Sequence, residues 1–154
     1  MSFFRTLSIL SFVVSICSPL AIAQTVASEK ALSVSVADSE VNWGPCPEFM
    51  PAGCQLAVLH GDPAKPNADV WLKVPPNMSL PHHWHSSAER MVLVSGELEV
   101  AYDGQRPALL KPGMYAYGPA KLPHTATCKQ GDACVLFIAF EGPVDAVPTS
   151  SAAQ

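Results

Sequence analysis

The sequence lacks a helical signature. No segment of its 154 residues carries a convincing 3.6-residue apolar stripe longer than about ten residues. Fifteen prolines also oppose long helices, since each removes a backbone donor and clashes with the preceding turn. Positive charge is short as well. Nine Lys and Arg stand against thirteen Asp and Glu, with no basic stripe, so the footprint of a nucleic-acid binder is missing. No cysteine pair has the CxxC or CxxxxC spacing common in zinc sites, which weakens a thiolate metal site. Histidine is scarce too: of five in the chain, three crowd into "PHHWH", residues 81–85.

The first 23 residues are almost uncharged. "MSFFRTLSILSFVVSICSPLAIAQ" has Arg5 early, an apolar run, and small residues Ala21 and Ala23 before Gln24. This is the pattern of a secretory signal peptide, so the expected mature chain starts near Gln24 and is exported, periplasmic or secreted. A membrane anchor fits less well, because Ser15, Ser18 and Pro19 interrupt the run and no basic stop-transfer cluster follows. Lipidation of Cys17 is disfavoured by Ile16 before it. No membrane association is expected after leader removal. Loss of Arg5 leaves eight basic residues against thirteen acidic ones, a charge near −5. Four cysteines remain, and they permit three pairings. The short, turn-rich loops "CPEFMPAGC" and "CKQGDAC" favour Cys46–Cys54 and Cys128–Cys134. In an oxidising compartment each bridge is worth roughly 2–3 kcal/mol.

Residues 24–40 read as a linker or an edge strand, 41–146 as the domain, and 147–154 as a disordered tail. Within the domain, "QLAVLHGD", "ADVWLKV", "RMVLVSG", "ELEVAY", "PALLK", "MYAYG", "HTATC" and "CVLFIAF" read as short strands. Turn chemistry separates them: "GDPAKPN", "VPPN", "YDGQ", whose Asp-Gly pair suits a type I′ hairpin, and "KQGD". The expectation is an all-β sandwich or barrel.

On a strand, His83 and His85 share one face while His82 and Trp84 share the other. Two imidazoles about 7 Å apart along a strand can converge on a metal if the sheet curves around it. Glu89 lies beyond the polar turn "HSSAE" and His124 beyond "GPAKLPH", each able to reach the same point.

These residues resemble the two motifs of the cupin superfamily. "HHWHSSAERMVLVSG" supplies His83-x-His85, Glu89 after three residues and Gly96 after six more. "GMYAYGPAKLPH" supplies Gly113, Pro119 after five residues and His124 after four more. The resemblance implies a jelly-roll (double-stranded β-helix) barrel with a metal held by His83, His85, Glu89 and His124. Lys121 stands where the second motif usually has glycine, which puts the turn in question because a side chain resists positive φ. Cys128 stands where it usually has asparagine, and fits one end of a hairpin disulfide. Histidines that merely fill or decorate a barrel are the competing reading. His82 and His60 read as bystanders, Trp43, Trp71 and Trp84 as packing residues, and Tyr115 and Tyr117 as either pocket-mouth or packing residues.

Three imidazoles and a carboxylate suit one divalent transition metal (Fe, Mn, Ni, Cu or Zn) with one or two positions left open. The resemblance then implies a metal-dependent dioxygenase acting on a small enol, diketone or phenolic compound, with Glu89 as ligand or proton acceptor. The alternative is a non-catalytic module binding metal or a small ligand. A homodimer is implied by resemblance alone.

Overall fold

The computed structural model describes residues 29–149. The expected leader, residues 24–28 of the expected linker and residues 150–154 of the expected tail lie outside the described residues. Residues 33–149 group in one compact unit. Among the described residues no helix is long and apolar enough to cross a membrane.

Two antiparallel sheets make up the fold. The first runs β1 (Gly44–Pro45), β2 (Gln55–His60), β3 (Asp69–Val74), β10 (Cys134–Phe140), β5 (Glu89–Ser95), β8 (Tyr115–Gly118). The second runs β11 (Val147–Pro148), β4 (Ser79–Trp84), β9 (His124–Cys128), β6 (Leu98–Tyr102), β7 (Ala108–Leu110). Every strand segment expected from the sequence is present. Sequence neighbours such as β5 and β6, or β9 and β10, lie in opposite sheets, which is the connectivity of a jelly roll. Residues 29–40 contain turns and no strand, and the chain is still strand at Val147–Pro148, paired with Trp84 and His83.

Period-two alternation builds the core. In β5, Glu89, Met91 and Leu93 point inward and Val94 outward; in β9, His124, Ala126 and Cys128 point inward. Leu93, Leu98, Leu136, Val70 and Val74 are fully buried, each worth about 1.5–3 kcal/mol relative to exposure. Trp71 is buried and stacks on Trp43, ring centroids 6.3 Å apart, as packing residues should.

Strand β4 breaks the alternation once. Leu80 opposes Ala126 and His83 opposes His124, so three steps on β4 match two on β9. This β-bulge carries one extra residue and turns His83, rather than His82, into the interior.

Three turns differ from expectation. The "YDGQ" turn is closed by Gln105 N–H to Tyr102 O at 3.0 Å. Only Gly104 of its central pair has positive φ, so the turn is not type I′; the five residues from Asp103 to Pro107 remove the two-residue constraint. Lys121 adopts φ +61° despite its side chain, and its N–H donates to His85 O at 2.8 Å. Cys128 and Cys134 do form a disulfide, with Cα atoms 5.7 Å apart, but not across a hairpin. Cys128 ends β9 in one sheet and Cys134 begins β10 in the other, so the bridge staples the sheets together. Gly96 sits against it: a Cβ there would lie 2.9 Å from Cys134 Sγ, and its φ is +78°.

The second bridge, Cys46–Cys54, has Cα atoms 5.5 Å apart and closes the loop between β1 and β2. Non-reducing peptide mapping should recover both bridges. Replacing Cys128 and Cys134 together by alanine should lower stability by about 2 kcal/mol in urea unfolding, from the loop-closure entropy returned to the unfolded chain.

Candidate metal centre

Four polar side chains project from inward-facing positions at one end of the barrel. His83 comes from β4, His124 opposes it at the start of β9, and His85 follows β4 directly. Glu89 opens β5 in the other sheet. His83, Glu89 and His124 are the buried polar residues among the described core. The imidazole centroids lie 4.3 Å (His83–His124), 5.0 Å (His83–His85) and 5.3 Å (His85–His124) apart.

Each ring is oriented the same way. His83 Nδ1 donates to Pro81 O at 2.6 Å, His124 Nδ1 to Leu122 O at 3.3 Å, and His85 Nδ1 to Asp145 O. A carbonyl only accepts, so each Nδ1 carries the proton and each neutral ring keeps its lone pair on Nε2. One potential ligand atom from each ring lies within 4.8 Å of the others. With metal–nitrogen bonds of about 2.0–2.1 Å, one ion reaches all three after shifts of under about 1 Å. Such carbonyl-tied imidazoles are the usual outer support of metal ligands.

A carboxylate stands beside one ring of this triad. Glu89 Oε2 lies 2.7 Å from His85 Nε2, yet this buried oxygen has no aligned hydrogen bond. Two lone-pair atoms at that separation need a positive charge, either a proton or a metal ion. Burial and the neighbouring His124 hold His83 down to about 4, and burial likewise lowers His124, so both rings are neutral at neutral pH. Burial also disfavours charge on His85, but the contact with Glu89 outweighs it and raises His85 above its ordinary value. The residues present therefore fit a divalent cation.

The chain matches the model of the ChrR cupin-like domain over residues 32–145. It belongs to the ChrR cupin-like family. A comparison of this cupin's sequence with curated proteins finds no match. Its fold is similar to the DMSP lyase DddQ from Ruegeria pomeroyi DSS-3 (TM-score 0.63, 19% identity), covering 74% of this chain and 64% of that one. The cupin thus spans less than two thirds of that lyase. It is also similar to the polyketide cyclase RemF from Streptomyces resistomycificus (TM-score 0.63, 21% identity), covering 79% and 89% of the two chains. Rhodobacter sphaeroides ChrR, an anti-sigma factor solved with SigE, matches with TM-score 0.50 and 19% identity over 66% of this chain and 50% of that one. These likenesses establish the fold.

The cupin places the other sequence candidates away from the cluster. His82 faces outward, bonding Asp103 Oδ1 at 2.9 Å and Thr149 Oγ1 at 2.8 Å. His60 is exposed at the end of β2, and Tyr115 and Tyr117 are exposed on β8.

Two further residues belong to the site and were not singled out from sequence. Tyr102 opposes His124 on β6, its ring centroid 4.7 Å away, and its buried hydroxyl has no hydrogen-bond partner. Burial, then the charge of Glu89, raises its ionisation, so it stays a neutral donor. Its position two steps beyond the inward-facing Leu98 and Val100 is the signal that could have found it. Gly118 pairs with Glu89 across β5 and β8; a Cβ there would lie 2.6 Å from Tyr102 OH and 2.8 Å from Glu89 Cγ. Glycine at that strand position marks a close approach. Gly118→Ala should displace Glu89 and lower stability by about 1–3 kcal/mol, read by chemical denaturation and a crystal structure of the variant.

Proposed function

We propose that His83, His85, Glu89 and His124 bind one divalent transition metal ion and that the centre acts on a small oxygen-bearing molecule. The observation that supports this reading is the convergence of three imidazoles, each with its Nδ1 on a backbone carbonyl, with the buried Glu89 carboxylate against His85. A bound ion would supply Lewis-acid polarisation of a ligand oxygen and coordination positions for a co-substrate. The chain's own residues do the rest. The imidazoles orient, Glu89 accepts a proton from a ligand hydroxyl, and the Tyr102 hydroxyl donates to an incoming oxygen. The reaction class this suits is a dioxygenase taking O₂ and a small enol, diketone or phenol. Export accompanies the reading: two disulfides suit an oxidising compartment.

A second reading is a metal- or ligand-binding module without turnover. The family match and the likeness to the anti-sigma factor ChrR favour it. Oxygen uptake with catechols or diketones separates the two, since the module takes up none.

Elemental analysis of protein purified without chelators should find about one metal ion per chain. His83→Ala and His124→Ala should each lose most of it, while His82→Ala keeps it, because His82 bonds Asp103 and Thr149 on the outer face. Full metal content in His83→Ala would overturn the ligand assignment.

A further inference from the structure

A cavity of about 180 Å³ abuts the cluster, sharing His85 with it. Pro47, Met50, Leu56, Leu72, Phe140 and Val144 supply its apolar walls. Two polar residues line it, and both are engaged. His85 Nδ1 is bonded to Asp145 O, and the Asp145 carboxylate takes Ser86 N–H at 2.9 Å and the Ser86 hydroxyl. Among the described lining residues none is lysine or arginine.

Size and charge both narrow the occupant. A dry apolar cavity of roughly 150 Å³ accommodates benzene, so this pocket has room for a single ring with one or two substituents. An ionised carboxylate or phosphate would shed hydration against these apolar walls and find no lysine or arginine among them, only the Asp145 carboxylate to repel it. A ligand ammonium would meet the Asp145 carboxylate, already accepting two hydrogen bonds from Ser86, but would lose its own hydration against the apolar walls. His85 is the cluster residue in this lining, so the cluster lies on the His85 side of the pocket. Phe140 stands edge-on to His85 at 5.6 Å and Phe49, from the Cys46–Cys54 loop, packs 6.2 Å from His83, flanking that direction with rings.

We propose that this pocket selects an uncharged single-ring phenol, its ring among Met50, Leu72 and Phe140 and its hydroxyl at the His85 side of the cluster. The assignment rests on the metal-centre reading for the hydroxyl end alone; the ring end rests on the walls.

The test uses probes of one size and three charges. Phenol, benzoate and benzylamine are titrated into the purified chain, zinc-loaded and zinc-free, with the Met50 methyl resonance and calorimetry as readouts; zinc avoids oxidation of the probe. A three-ring flavonol tests size. In the zinc-free chain phenol should bind saturably, at least tenfold more tightly than benzoate or benzylamine, and the flavonol should not displace it. Ala146 also lines the cavity; Ala146→Phe and Met50→Trp, which fill it, should each weaken phenol at least tenfold with bound zinc unchanged. Phenol binding in zinc-free protein supports the pocket even if zinc fails to bind, an outcome that counts against the metal reading alone. Benzoate or benzylamine binding the zinc-free chain as tightly as phenol, displacement by the flavonol, no saturable phenol binding, or unaltered binding in both filled variants would overturn the proposal.

Discussion

The extra residue in β4 decides which side chains share the interior. Without it, alternation from Leu80 would carry His82 inward and send His83 and His85 to solvent. With it, His83 comes directly opposite His124, and His85 follows on the same side. The bulge also leaves Pro81 O placed to accept from His83 Nδ1, so one local irregularity both aims the ring and fixes its tautomer. The barrel around it is regular enough that this shift has one outcome.

Burying three imidazoles and a carboxylate inside an apolar barrel is unfavourable unless each is compensated. Backbone carbonyls compensate the Nδ1 atoms, and they come from three places: Pro81, Leu122 and Asp145. The His85 Nε2 and Glu89 Oε2 atoms lie 2.7 Å apart and need a positive charge between them. Glu89 belongs to the six-stranded sheet and two of the histidines to strands of the five-stranded sheet, so a cation among them would tie the sheets at this end. The Cys128–Cys134 bridge ties strands of the same two sheets covalently. Gly118 marks a place where the sheets approach too closely for a side chain, and Gly96 a close approach to the bridge itself.

Much of the architecture was legible because strand signals are local: eight short alternating segments and their turns required no knowledge of pairing. The parity of His83 against His82 was legible for the same reason. What escaped was non-local. That Cys128 and Cys134 belong to different sheets depends on which strands pair, and "KQGD" reads as a hairpin turn when taken alone. Lys121 resisted because its positive φ is held by a hydrogen bond to His85, distant in sequence. Tyr102 and Gly118 gain meaning only from Glu89 and His124 beside them. Asp145, whose backbone oxygen orients His85, carries no sequence signal at all, since any residue supplies a carbonyl.

The loop from Cys46 to Cys54 lies between the sheets' apolar interior and the outside, with Phe49 against His83 and Met50 in the cavity wall. Its ends are joined by a covalent bond and by Cys46 N–H to Cys54 O, rather than by the side chains between them. Those intervening positions are thereby released from holding the loop in place. They form a short, exchangeable panel in which successive substitutions can remodel what the barrel admits while its framework and its histidines stay untouched.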